Sequence, residues 1–330
     1  MLGLNAPIKL PKEMQPQLIV VIDTEEEFDW GDPVDRNQTG VTAMDYIYRV
    51  QDIFDEYGIV PCYVVDYPVV SQKSGCRALQ KIFNEGRCEI GAHLHPWVSP
   101  PLEEVMSPKN TFPGNLDPSL EKEKLQILID KIESVFGVKP TAYKAGRYGV
   151  GENTTNILDE LGFEVDLSLC PPVDYSAESG PDFSSFSAEP FWFGRNNNLV
   201  EIPVTGAFVG WAGEFSKPIY NFAMKFKKYK LPGVFSRLSL VDRLMLSPEG
   251  FNSADHIKLT HDLYRRGVRT FTWSFHSPSV VPGHTSYVQN EQQLEEFLGM
   301  FRTYFDFFFN QLGGEATTPT KLRRQLRGLK

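Results

Sequence analysis

The sequence predicts an α/β fold: parallel strands joined by crossover helices, in a sheet closed or nearly closed into a barrel or else doubly wound. Three observations carry this. Short apolar, β-branched runs alternate with helical patterns along the chain, the signature of parallel strands with crossovers. Nearly every strand-like run ends on a titratable residue, and ligands of parallel α/β proteins sit at the carboxyl ends of the strands. The 330 residues, 41% hydrophobic and 23% charged, suit one large domain or two ordinary ones and suffice for a sizeable buried core.

The elements follow in order. Residues 18–22 are a buried strand ending at Asp23. Residues 42–57 carry Met44, Ile47, Val50, Ile53 and Phe54 at helical spacing and stop at Gly58. Residues 59–65 are the next strand, 78–83 a short helix ended near Gly86, and 88–93 a strand ending in His. A long helix is expected over 118–136 with Gly137 as its stop. Then come a strand at 141–145, a helix at 152–161 stopped by Gly162, and a strand at 163–168. Residues 254–266 are helical, 268–275 a strand, and 292–312 a long helix with Phe on its inner face. Between 171 and 250 the alternation breaks into Pro/Ser/Gly-rich loops, a hairpin (191–193 and 199–203) and basic segments such as 225–230. This stretch reads as an irregular insertion in one domain. The organisation expected is an N-terminal extension (1–16), a domain over 17–312, and a basic flexible tail over 313–330.

Composition excludes some functions. The net charge is −9, with 33 basic and 42 acidic residues. Lys321, Arg323, Arg324, Arg327 and Lys330 lie in the last ten residues without an acid, leaving −14 on the remainder. That balance weighs against nucleic acid as a partner and suits metal cations. No apolar run reaches the roughly 18 residues of a membrane span, and residues 1–17 hold no apolar stretch of the secretory type. A cytoplasmic location is therefore expected. Cys62, Cys76, Cys88 and Cys170 form no CxxC pair and read as buried reduced thiols. No heptad pattern speaks to oligomeric state.

The chemistry is expected at the strand ends. The first strand runs into Asp23-Thr24-Glu25-Glu26-Glu27, the third into His93-Leu94-His95-Pro96-Trp97, the fourth into Lys144-Ala145-Gly146-Arg147-Tyr148, and the last into His276. The strand at 163 carries Asp166. On extended chain, residues i and i+2 share a face, so Asp23 pairs with Glu25 and His93 with His95. Two adjacent carboxylates repel unless a cation lies between them or one is protonated. With two imidazoles they make a mixed N/O ligand set for Zn²⁺, and also for Mn²⁺, Co²⁺ or Ni²⁺. His256 and His261, five residues apart on a helix, share no face and read as surface residues. His284 lies in a Pro-Gly-His-Thr loop.

On these residues the chain resembles the polysaccharide deacetylase (NodB-homology) carbohydrate esterases, and within them the WalW-like proteins, over about residues 17–287. The resemblance implies a distorted (β/α) barrel of about seven strands that removes acetyl groups from N-acetylated sugars with one divalent metal, commonly zinc. Asp23 matches the first Asp of the family's T-F-D-D motif and would be the general base; Thr24 replaces the second, so Glu25 substitutes as metal ligand. Residues 89–93 match the start of the H-S/T-x-x-H motif. Trp97 stands where its last His belongs, which leaves His95 as second ligand beside His93. Lys144 or Arg147 would orient Asp23, and Asp166 would brace that basic residue. His276 would protonate the departing amine, and a backbone N–H near Tyr148 would stabilise the oxyanion. Tyr148, Trp97 and Trp30 are the aromatic candidates for substrate contact, although tryptophans also suit the core.

Two other functions fit the same residues. One is an amidohydrolase acting on a small cyclic amide or imide; a narrow pocket closed by 171–250 would favour it, and an open groove with exposed Trp side chains would favour a glycan. The other is a non-catalytic barrel that binds a sugar. The partner expected is an acetylated carbohydrate, such as a nucleotide- or lipid-linked sugar.

Overall fold

The computed structural model describes residues 6–28 and 33–329. Its strands are Gln17–Thr24 (β1), Cys62–Val65 (β2), Glu89–Leu94 (β3), Ala142–Ala145 (β4), Val165–Asp166 (β5), Phe191–Phe193 (β6), Leu199–Glu201 (β7), Gly206–Val209 (β8), Asp242–Met245 (β9), Thr270–His276 (β10) and Glu315–Ala316 (β11). The main sheet runs β10-β1-β2-β3-β4-β5-β7-β6, with β11 beside the start of β1. Seven of these strands are parallel in succession, and β6 returns antiparallel on β7. Among the described residues the sheet curls without a closing ladder between its ends. Residues 202–205 and Leu246 bridge the gap: Val204 N–H bonds the Leu169 carbonyl, Leu246 N–H the Thr205 carbonyl, and Ser274 N–H the Leu246 carbonyl. This is the distorted (β/α) barrel.

The helices are Tyr48–Glu56 (α1), Tyr67–Ser71 (α2), Lys73–Asn84 (α3), Pro118–Phe136 (α4), Thr154–Leu161 (α5), Ser216–Lys225 (α6), Leu231–Arg237 (α7), Ser253–Arg265 (α8), Glu291–Phe305 (α9) and Pro319–Gly328 (α10). Helix α4 has the bounds the sequence predicts: the Asp117 carboxylate accepts from Ser119 N–H, Pro118 fills the first turn, and Gly137 ends it at φ 73°. Helix α8 opens on a capping box between Asn252 and Asp255. The expected single helix over 292–312 instead ends at Phe305 and widens into a π turn over Asp306–Gln311, which buries Phe307 and Phe308.

Alternation along the strands divides the core in two. Leu18, Val20 and Ile22 of β1 pack outward against the helices. Ile19 and Val21 point inward with Cys62, Val64, Ala142, Val165 and Val200. Asp23 continues the inward set one step beyond Val21. The barrel interior is thus apolar through its middle and charged where the strands end.

The expected flexible tail over 313–330 is, over residues 313–329, an ordered part of the fold. Residues 315–316 pair with β1, and α10 buries Leu322 and Leu326 against the inward core. Thr318 caps α10 and Pro319 starts it, while Arg323 bonds the carbonyls of Glu164 and Asn198 at the starts of β5 and β7. The helix therefore plugs the barrel floor; its bases lie at the rim and its leucines point in. His256 is likewise corrected: it is buried, with Nε2 2.7 Å from the Ser247 carbonyl, while His261 is exposed. All four cysteines are buried and free. Among the described residues no helix is long and apolar enough to cross a membrane.

Candidate active site

Strand register brings the predicted residues together. Asp23 on β1 lies opposite His276 on β10, and His93 on β3 opposite Lys144 on β4. Asp23, Glu25, His93, His95, Arg147, Tyr148 and His276 line one cavity of about 410 Å³, within the size range of small-ligand sites.

On one side of the cavity, Glu25 Oε2 is 3.4 Å from both His93 Nε2 and His95 Nε2. His93 Nδ1 is 2.9 Å from the Lys144 carbonyl oxygen. A carbonyl only accepts, so Nδ1 carries the proton and Nε2 turns its lone pair to the cavity. His95 Nδ1 is 2.8 Å from the Glu26 carboxylate, which also accepts from Trp97 Nε1 at 2.8 Å. Burial lowers the pKa of both imidazoles, His95 to about 4. Both rings are therefore neutral near pH 7. Glu25 is pushed well above the carboxylate range, first by burial, then by the charges of Glu26, Asp23, Asp66 and Glu249. Its Oε1 is buried without a hydrogen bond among the described residues.

This donor set fits a divalent cation. Two lone pairs and a carboxylate converge with ligand atoms within 4.8 Å of one another, surrounding carboxylates add negative charge, and the outer imidazole nitrogens are held as in metal-ligating histidines. Three protein ligands leave a position open, and His₂Glu is a set zinc accepts. Gly146 is needed here: a Cβ would come within 2.5 Å of His95 Cδ2 and of the Leu94 carbonyl oxygen.

Across the cavity the charges are reversed. Lys144 Nζ spans both Asp23 oxygens at 2.6 and 2.8 Å and bonds Ser274 Oγ at 3.0 Å. Burial works to raise the Asp23 pKa, but the Lys144 ammonium and the facing imidazoles lower it below its ordinary value. His276 Nε2 is 3.5 Å from Asp23 Oδ2, and its Nδ1 is 2.6 Å from Glu249 Oε2. Burial opposes charge on this ring, yet the Glu249 carboxylate and Asp23 raise its pKa. Glu249 is itself fixed by Ser279 Oγ and the His276 N–H.

The remaining predicted residues separate. Of the two bases offered for Asp23, Lys144 makes the contact. Arg147 lines the cavity, but its guanidinium lies over Phe112 and bonds Thr111 and Glu178. Asp166 does not reach Lys144. It accepts from Ser168 Oγ, which in turn accepts from Ala145 N–H, so it fixes the backbone next to Lys144. Arg147 and Tyr148 both have positive φ, 53° and 58°, an unfavoured conformation for such side chains. The turn sets Tyr148 on the cavity wall, stacked on Tyr175 at 5.8 Å. Trp97 is buried behind His95, stacked on it at 4.2 Å, and is not on the wall. Trp30 lies outside the described residues. His284 Nδ1 is 3.4 Å from Glu27 Oε1.

Sequence reasoning missed Glu249, Glu26, Asp66 and Tyr175. Glu249 stands in a Pro-Glu-Gly turn of the insertion, where no periodicity marks it. Glu26 was visible in the acidic run, but its part is set by Trp97 and His95, seventy residues away. Asp66 holds Glu26 N–H and caps α2.

No protein-family model matches the sequence, and no curated protein matches it. Solved structures do match in fold. One is a protein assigned as a polysaccharide deacetylase from Mycobacterium smegmatis, at 17% identity and TM-score 0.58, covering 100% of this chain and 96% of that one. Another is the Puue allantoinase, at 15% and 0.55, covering 99% and 95%. A third is assigned as a polysaccharide deacetylase from Pseudomonas aeruginosa, at 12% and 0.54, covering 94% and 91%. The protein thus has the fold shared by polysaccharide deacetylases and an allantoinase.

Proposed function

We propose that the protein is a metal-dependent amide hydrolase that removes the acetyl group from an N-acetylated sugar. One observation carries this reading: Glu25, His93 and His95, grouped to hold a cation, face Asp23, bonded by Lys144, and His276, bonded to Glu249, across a single cavity. A divalent cation held by Glu25, His93 and His95, zinc first among the candidates, would supply Lewis acidity to the amide carbonyl and to water. Lys144 keeps Asp23 ionised, so Asp23 accepts a proton from water as oxygen adds to the carbonyl carbon. Glu249 keeps His276 charged, so His276 gives a proton to nitrogen as the C–N bond breaks. Acetate and the free amine leave, and the proton on Asp23 returns to His276 or solvent. A backbone N–H near Tyr148 would stabilise the oxyanion.

A second reading has specific support. The cavity is compact, Tyr175 from the insertion forms part of its wall, and an allantoinase shares the fold. Both favour a small cyclic amide, opened by the same groups. Elemental analysis of the purified protein, paired with acetate release from a panel of N-acetylated sugars, tests the proposal. Stoichiometric metal with acetate release supports it. Ring opening of cyclic amides without acetate release moves the substrate to the second reading, and a metal-free protein inactive on both after reconstitution removes catalysis.

A further inference from the structure

Among the described residues fifteen large apolar side chains are exposed, and eight of them fall within residues 211–238. This stretch is the tip of the β8–β9 hairpin and holds α6 and α7. Trp211 is 72% exposed and Tyr229 80%, and Phe215, Phe222, Phe226 and Leu238 also face solvent. The same stretch is basic. Residues 211–240 carry Lys217, Lys225, Lys227, Lys228, Lys230 and Arg237 against one acid, Glu214, in a chain whose net charge is −9. A solvated surface helix shows its charges and hides its rings; here both face outward. Between α6 and α7, Phe215, Pro218, Ile219, Phe222, Phe235 and Leu240 line an open, almost wholly apolar hollow of about 410 Å³.

We propose that this hairpin docks the protein on an anionic lipid bilayer. The aromatic rings enter the headgroup layer, the apolar hollow meets the acyl boundary, and the lysines meet the lipid phosphates. Trp and Tyr, with apolar rings and polar edges, belong at that depth. Lysine stems lie along apolar surface while their ammonium groups stay with the phosphates. Charge also argues against the other occupants. A two-fold contact between copies would set lysines against lysines. Nucleic acid would leave Val234, Met224 and Leu238 without bases to stack on. One loop links this stretch to the cavity wall: Lys217 Nζ bonds Ser184 Oγ at 3.0 Å, and the loop that carries Ser184 also carries Tyr175 of that wall.

Sedimentation of the full chain with two kinds of vesicle tests this, one of phosphatidylcholine alone and one containing about a third phosphatidylglycerol. The protein should sediment with the anionic vesicles, and salt should release it. Each lysine near such a surface contributes about a five-fold factor in partition. The triple variant Lys225→Gln/Lys228→Gln/Lys230→Gln should therefore bind roughly 100-fold more weakly. Trp211→Ala/Tyr229→Ala should weaken binding about ten-fold at unchanged charge. All five residues are exposed, and an unchanged far-ultraviolet spectrum checks their folding. Absence of binding to either vesicle, equal binding to both, or binding untouched by these variants overturns the proposal. So does concentration-dependent self-association that the variants abolish, which would assign the face to a second copy.

Discussion

The two walls of the cavity use the same residue types, carboxylate and imidazole, in opposite protonation states. On the ligand wall His93 and His95 are neutral and Glu25 is driven toward its protonated form. On the facing wall His276 favours its charged form and Asp23 is held ionised. Burial acts alike on all of them, so the charge beside each decides: the Glu26 carboxyl on His95 is itself raised to about 7 by burial and does not charge that ring. A backbone carbonyl behind His93 orients the ring without charging it, whereas the Glu249 carboxylate behind His276 stabilises the imidazolium. Lys144 is the asymmetric element: its ammonium bonds Asp23 while its carbonyl oxygen fixes His93. One residue thus sets opposite conditions on the two walls.

The strongest test of this division separates the walls by mutation. Asp23→Asn should lower turnover by roughly 10³-fold or more while metal content, read by elemental analysis, stays stoichiometric; His93→Ala should lose both. If Asp23→Asn also lost its metal, the walls would not be independent. Next in size is Glu249→Gln. Without that carboxylate the His276 pKa falls, so a general acid is lost at lower pH. The alkaline limb of the pH–rate profile should move to lower pH, with activity at pH 8 down about ten- to 100-fold. An unmoved limb would remove His276 as the acid. Glu26→Gln keeps the shape behind His95 but weakens its hold on Nδ1. Metal affinity should fall about ten- to 100-fold, with little change in the pH profile of the metal-saturated protein.

The smallest effect is a control away from both walls. Burial raises Glu121 to about 7, although Thr154 Oγ1 donates to it at 2.7 Å. Because the folded pKa lies above the ordinary value of 4.5, the folded state holds the extra proton between the two. This carboxyl therefore lowers stability as pH rises from about 4.5 to 7, by on the order of 3 kcal/mol in full. Glu121→Gln should flatten that part of the stability profile in denaturant titrations and leave the activity profile in place.

The sequence was legible where chemistry coincides with strand ends. Asp23, His93, His95, Lys144 and His276 each close an apolar run, and the parallel register aligns those ends around one space. Second neighbours were hidden, because Glu249 and Asp66 approach from segments with no periodic relation to the residues they hold. Trp97 was misread for a related reason: position beside His95 does not tell which side of the strand end a ring occupies. The last segment was misread by charge. Lys321, Arg323, Arg324 and Arg327 concealed Leu322 and Leu326, an i, i+4 pair behind a Thr-Pro helix start. Of the stretch 211–240 the sequence shows only a basic segment at 225–230, since exposure of its rings is a property of the fold.

Strand β1 carries Asp23 and leads into Glu25, yet its neighbour β10 lies some 250 residues further along the chain, and α10 seals the floor beneath it. Asp23 therefore meets His276 only after all the chain between them has been made. No nascent chain shorter than about residue 276 can assemble both walls.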